Sequence, residues 1–212
     1  MDSSEVFPDS QSKSLRRRVA REAAFLIYTC QEKEYKQAKT TAAKILGART
    51  LPSNREVAEE LDAIAAEHEG PSRLERLLRM RKEALEIMQC LECYNPKLIG
   101  SVWRGTAHRN SDIDIVVFSA NAEEVMRKIR KKGFKITKAE EILITKGGSK
   151  QSSFHVFVSL PSGDVAEIVI RSPEEETKIE KCEIYGDILK GLDLDQLKSV
   201  LKNDPYKRFI PE

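Results

Sequence analysis

The stretch from Leu98 to Phe118 constrains this chain more than any other. Two apolar residues end at Gly100-Ser101, a polar loop follows, and then aspartates alternate with β-branched residues at Asp112, Ile113, Asp114 and Ile115. This pattern predicts strand, turn, strand. Because side chains alternate across a strand, Asp112 and Asp114 share one face while Ile113, Ile115 and Val117 share the other. The two carboxylates then stand roughly 6–7 Å apart at Cα. Like charges held that close repel and resist desolvation, a cost that a divalent cation removes.

Oxygen-only ligands suit Mg²⁺ or Mn²⁺, and a carboxylate pair can hold two such ions at roughly the 3.5–4 Å separation of in-line phosphoryl chemistry. Gly100 lets a phosphate come close to the backbone, and N–H groups following a strand form an anion nest. Taken singly, Asp-x-Asp is most often a solvated strand face and Gly-Ser a plain turn. Their order and spacing here join them into one motif.

The run Gly100-Ser101-Val102-Trp103-Arg104-Gly105, followed by Ser111-Asp112-Ile113-Asp114-Ile115, closely resembles the signature of the DNA polymerase beta-like nucleotidyltransferase superfamily. There a Gly-Ser loop precedes an Asp-x-Asp strand, commonly with Arg-Gly between. The resemblance covers about half the chain, from the helix before Gly100 to about Arg171. It implies an α+β nucleotidyltransferase fold, a mixed β-sheet flanked by helices. It also implies transfer of a nucleoside monophosphate from a nucleoside triphosphate, ATP favoured, to an acceptor hydroxyl with release of pyrophosphate.

In that reading Asp112 and Asp114 hold two Mg²⁺ or Mn²⁺ ions. Superfamily members carry a third carboxylate on a strand flanked by apolar residues, and Glu167 is the matching position, a departure because the usual residue is Asp. Gly100 and Ser101 would bind the β,γ-phosphates, Arg104 would add a forked phosphate contact or else steady its own loop, and Ser111 would orient the strand entry or touch phosphate. Trp103 is expected to pack, and His108 and His155 are left outside the site. The acceptor, protein, RNA or small molecule, stays open, as does the oligomeric state. A rival reading is a non-catalytic binding module on the same fold, antitoxin-like or nucleotide- or RNA-binding, supported by the altered third carboxylate.

With 36 basic and 34 acidic residues the chain offers no bulk attraction for a polyanion, so any nucleic-acid site must be local. The polar amino terminus and the lack of a long apolar run predict a soluble cytoplasmic protein without a membrane partner. Cys30, Cys90, Cys93 and Cys182 form no disulfide framework; Cys90 and Cys93 make a lone C-x-x-C that reads as ordinary thiols rather than a zinc or redox site.

Four segments are expected: a disordered tail over 1–14, a small all-helical domain over 15–70, the nucleotidyltransferase domain over 71–172, and C-terminal helices over 173–212 packed on it. The first helix, Leu15 to Glu32, carries Arg16, Arg17, Arg18 and Arg21, either a solvated face or a hold for RNA. A second helix spans Glu34 to Leu46. Ser53 and Glu56 form a capping box for a third, which Gly70-Pro71 stops. Ser72 should cap a fourth helix, with Leu74, Leu77, Leu78, Leu85, Ile87 and Met88 as its apolar residues. Later come a helix from Asn121 to Lys132, short strands at Phe134–Ile136 and Ile142–Thr145, and a flexible turn at Lys146-Gly147-Gly148-Ser149-Lys150. A hairpin of Ser153–Leu160 with Val165–Ile170 and helices over Glu174–Leu189 and Asp195–Lys202 complete the chain.

Overall fold

The structure is a computed structural model and describes residues 8–146 and 149–212. Met1–Phe7 of the expected tail and Gly147-Gly148 of the expected turn lie outside the described residues. The chain divides into two compact units: the first holds residues up to Gly70 together with Cys182–Gly186, the second Pro71–Lys181 and Asp187–Glu212.

The first unit is three helices, α1 (Pro8–Tyr28), α2 (Tyr35–Ile45) and α3 (Asn54–Glu69). Helix α1 already runs from Pro8, so residues 8–14 are not tail. Small residues at helical spacing, among them Ala20, Ala23, Ala24, Ala38 and Ala42, let the helices close around Val19, Val57, Leu61 and Ile64. The Ser53–Glu56 capping box forms, with Glu56 N–H donating to Ser53 Oγ at 3.1 Å and Ser53 N–H to the Glu56 carboxylate at 2.6 Å.

Three of the arginines of α1 pair with acidic side chains of α3. Arg16 forks onto Glu56 at 2.6 and 2.7 Å, Arg17 reaches Glu60 at 2.9 Å, and Arg21 bridges Glu60 and Glu67 at 3.3 and 2.7 Å. Basic positions of α1 therefore face acidic positions of α3.

In the second unit α4 (Pro71–Cys90) precedes a 3-10 turn (Glu92–Tyr94), β1 (Lys97–Ile99), α5 (Gly100–Arg104), β2 (Ile113–Phe118), α6 (Ala122–Lys131), β3 (Lys135–Lys146), β4 (Ser149–Ser159), β5 (Val165–Arg171) and α7 (Leu194–Asn203). Pro71 occupies the first turn of α4, so Ser72 lies inside the helix rather than capping it; a proline suits that place because its missing N–H would have no helical partner. Leu74 points outward, 49% exposed, and the buried stripe instead follows Arg73, Leu77, Met80, Arg81, Ala84, Ile87 and Met88.

The sheet is mixed, in the order β1-β2-β5-β4-β3, with β2 and β5 parallel and the other neighbours antiparallel. Ile113, Ile115 and Val117 of β2, Ala166, Ile168 and Ile170 of β5, and Val156 and Val158 of β4 fill the inner face against α4 and α6. The opposite face carries Asp114, Glu167, His155 and Phe157. This is the expected α+β architecture, a mixed sheet flanked by helices.

Two strands expected at Phe134–Ile136 and Ile142–Thr145 are one, β3, with a register shift between Ile136 and Lys138. Continuous pairing with β4 carries the polar run Lys138-Ala139-Glu140-Glu141 through, and at a sheet edge those charges are tolerated in water. No helix covers Glu174–Leu189: a short 3-10 turn (Pro173–Glu175) gives way to irregular chain with a Lys181–Ile188 bridge. The segment lacks a helical apolar stripe to bury, and Gly186 sits at φ +76°. The expectation of helices over 173–212 therefore holds only for α7, and residues 182–186 group with the helical unit. Among the described residues no helix is long and apolar enough to cross a membrane.

Candidate active site

Strand β1 pairs antiparallel with β2 so that Ile99 stands opposite Asp114. The chain then turns at Gly100, with φ +68°, directly into α5. A Cβ on Gly100 would lie 1.9 Å from Asp114 Oδ2 and 2.8 Å from its Cγ, so the Asp114 carboxylate rests against the bare glycine backbone. Glycine is demanded there twice, by the left-handed φ and by the carboxylate. The Gly-Ser element, expected as a loop, is the first turn of a short helix.

Asp114 has a second carboxylate beside it. Parallel pairing of β2 with β5 sets Asp114 opposite Glu167, on the same face of the sheet. Burial, then the charge of Glu167, then that of Asp112 push the Asp114 carboxyl up to about 7. Asp112 sits just before β2 and is exposed, at the rim.

Glu167 is itself held. His155 Nδ1 lies 2.5 Å from Glu167 Oε1, and His155 Nε2 lies 2.8 Å from Ser153 Oγ. With the carboxylate as acceptor, Nδ1 is the donor, and the Ser153 hydroxyl holds the other ring nitrogen. His155, left outside the site on sequence grounds, thus touches the third carboxylate.

Among the described residues, no set of three or more His, Cys, Asp or Glu is gathered closely enough to form a ready-made metal cage. Asp114 and Glu167 are brought together, and Asp112 lies close enough to raise Asp114 without joining a tight cluster. A divalent cation still fits the donor set, because a half-buried, destabilised carboxylate beside a second one is relieved by positive charge and offers hard oxygen ligands.

Of the remaining candidates, Ser101 uses its carbonyl to accept the Thr106 N–H at 2.9 Å. Ser111 Oγ accepts the His108 N–H at 2.9 Å, the local contact expected of a residue orienting the strand entry. Arg104 is a correction. Its side chain is buried, forked onto Asp187 at 2.6 and 2.8 Å, and donates to the Phe209 carbonyl at 2.7 Å, so it does not reach out as a phosphate fork. Helical winding of α5 turns Arg104 inward. Trp103 packs, 4% exposed, with its ring 6.4 Å from Phe209.

Two further arginines hold this loop and escaped the sequence reading. Buried Arg81 donates to the carbonyls of Val102, Trp103, Pro205 and Lys207 at 3.1, 3.0, 2.6 and 2.8 Å, and burial lowers its pKa to about 10. Arg73 donates to Ala107 and Thr106 carbonyls at 2.8 and 2.9 Å. The available signal was position: both fall on the buried stripe of α4.

Comparison with known proteins bears on the same segment. Residues 97–191 match the model of the nucleotidyltransferase domain family. Solved structures similar to this chain include a cytoplasmic RNA terminal U-transferase, at 17% identity and a TM-score of 0.32 over 45% of this chain and 30% of that one. Another is the Cid1 poly(U) polymerase in complex with the UTP analogue UMPNPP, at 17% identity and a TM-score of 0.33 over 53% and 36%. The chain thus spans about a third of the length of these structures. A search of curated proteins found no match. The matched segment holds Gly100, Asp112, Asp114 and Glu167, so the site described above lies within the region of similarity to nucleotidyltransferase domains.

Proposed function

We propose that this domain transfers a nucleoside monophosphate from a nucleoside triphosphate to an acceptor hydroxyl. The observation that carries the reading is the Asp114 carboxylate seated on Gly100 with Glu167 beside it. Asp112, Asp114 and Glu167 would hold Mg²⁺ or Mn²⁺, two ions in the full form of the proposal. Bound there, the metal would neutralise triphosphate charge and lower the pKa of the acceptor hydroxyl.

The chain's own residues then have distinct tasks. Gly100 leaves room for the carboxylate and the phosphates at one turn, and Ser101 and the adjoining amides would receive the β,γ-phosphates, where negative charge grows on the leaving pyrophosphate. The acceptor oxygen would bond to the α-phosphorus as the α–β bridging P–O bond breaks, and Glu167 would help take the hydroxyl proton. Ser111 orients the entry to β2. ATP is the favoured donor, and a protein, RNA or small molecule the acceptor. A cytoplasmic setting belongs to the same proposal.

The binding-module reading draws on one observation: Glu167, where Asp is usual, is already engaged by His155. Incubating the full chain with α-labelled nucleoside triphosphates, Mg²⁺ or Mn²⁺ and separate protein, RNA and small-molecule fractions tests both. Metal-dependent labelling and pyrophosphate release, lost in Asp114→Ala, support the enzyme. Nucleotide binding without label transfer from any triphosphate supports the module.

A further inference from the structure

The C-x-x-C of the sequence has no part in the proposed chemistry, yet both of its thiols meet the same residue. Cys90 ends α4, and its Sγ donates to the Lys128 carbonyl at 3.5 Å. Cys93 lies in the 3-10 turn that follows, exposed, and its Sγ takes the Lys128 ammonium at 2.8 Å. Lys128 Nζ also stands 5.1 Å from the Tyr94 ring, which helps to fix the ammonium over this turn.

A zinc site would need further ligands, and among the described residues no group of three or more His, Cys, Asp or Glu is gathered. What the arrangement supplies is a thiol with a cation in hydrogen-bonding contact and a second thiol three positions away. A thiolate formed at Cys93 has a charge partner in place, and the thiolate is the nucleophilic form. Cys90 closes α4 and Cys93 lies in the turn directly after it, so two residues separate the thiols and both stand against Lys128.

We propose that Cys93 and Cys90 are a peroxide-reactive dithiol, with Cys93 attacked first and Cys90 resolving it. The Cys93 thiolate attacks one oxygen of hydrogen peroxide, the O–O bond breaks, and with one proton taken up the products are a sulfenic acid and water. The Cys90 sulfur, giving up its proton, then displaces the hydroxyl from Cys93 sulfur, forming the disulfide and a second water. Peroxide is reduced by two electrons and the two thiols are oxidised. Closing the bridge takes Cys93 out of its pairing with Lys128. The inference is independent of nucleotidyl transfer.

The test uses the full, reduced chain titrated with hydrogen peroxide and followed by peptide mass. The expected result is a Cys90–Cys93 disulfide appearing before any change at Cys30, which is also exposed, or at Cys182. Cys90→Ser should stop at a sulfenic acid on Cys93 that dimedone traps. Lys128→Met should slow oxidation of Cys93 by about tenfold. The proposal is overturned if wild-type Cys93 oxidises no faster than Cys30, if the first disulfide joins a different pair, or if Lys128→Met leaves the rate unchanged.

Discussion

The Asp114 carboxylate fills the space that any side chain at Gly100 would need, with Oδ2 1.9 Å from where a Cβ would stand. Gly100→Ala should therefore cost about 1–3 kcal/mol of stability, from the left-handed φ and the displaced carboxylate together. It should also abolish most metal-dependent activity. Urea unfolding of Gly100→Ala, Asp114→Ala and the double variant checks this. The double variant should cost less than the sum of the two singles, because removing the carboxylate relieves the clash.

Asp114 also predicts a pH dependence. Its carboxyl rises from about 3.8 unfolded to about 7 folded, so between those values the native state holds a proton that the unfolded state has released. Without metal, this group leaves stability untouched below pH 3.8 and erodes it progressively as pH rises towards 7, by an amount on the order of 1–3 kcal/mol after screening. Asp114→Asn should flatten that slope in urea midpoints measured from pH 4.5 to 8. Mg²⁺ should raise the melting temperature of the wild type more at pH 8 than at pH 5.5, since the ligand must be ionised to bind.

Much of this arrangement was legible in the sequence, for reasons tied to range. Alternation along one strand placed Asp114 opposite the core-facing Ile113 and Ile115, and strand pairing brought it back onto Gly100. The neighbour Glu167 came from family resemblance; its register against Asp114 depends on β5 lying next to β2, a pairing 53 positions apart that no local pattern encodes. His155 was within reach of a hairpin argument: with Phe157 opposite Glu167, His155 falls two pairs further along and so on the same face. Arg104 was misjudged because its partner Asp187 lies 83 residues on and a five-residue helix replaces the expected loop.

Buried Arg81 predicts a stability effect rather than a direct chemical one. Four carbonyls, two of them in α5, lose their donor in Arg81→Met, and unsatisfied buried acceptors are costly. A loss of about 3 kcal/mol is expected in urea unfolding. Arg81→Lys should recover only part of it, since an ammonium cannot reproduce the fork.

The α1–α3 ladder predicts how the arginine-rich helix responds to substitution. Arg16 holds Glu56 down to about 2, so the pair contributes stability above the usual glutamate range and loses it as pH falls towards 2. Both side chains are over a third exposed, which limits the coupling to about 0.5–1 kcal/mol in an Arg16→Ala, Glu56→Ala double-mutant cycle. Changing Arg16, Arg17 and Arg18 together should lower the unfolding midpoint and leave RNA retention, measured across a salt series, unchanged.

The contact between His155 and Glu167 separates the enzyme from the binding module. If Glu167 is a working ligand, His155 is a positioning residue: it fixes the carboxylate's direction while Ser153 fixes the ring. Glu is one methylene longer than the Asp usual at this place, so its carboxylate has more rotamers to lose, and an orienting partner matters more. His155→Ala should then lower metal-dependent turnover by about tenfold, with a weaker apparent Mn²⁺ affinity and little change in nucleotide KM. Ser153→Ala, which frees the ring but leaves its Nδ1 contact, should have a smaller effect in the same direction. If Glu167 is instead parked by His155, the variant leaves Mn²⁺ titrations and nucleotide binding as they were, and the third carboxylate has no share in the metal site.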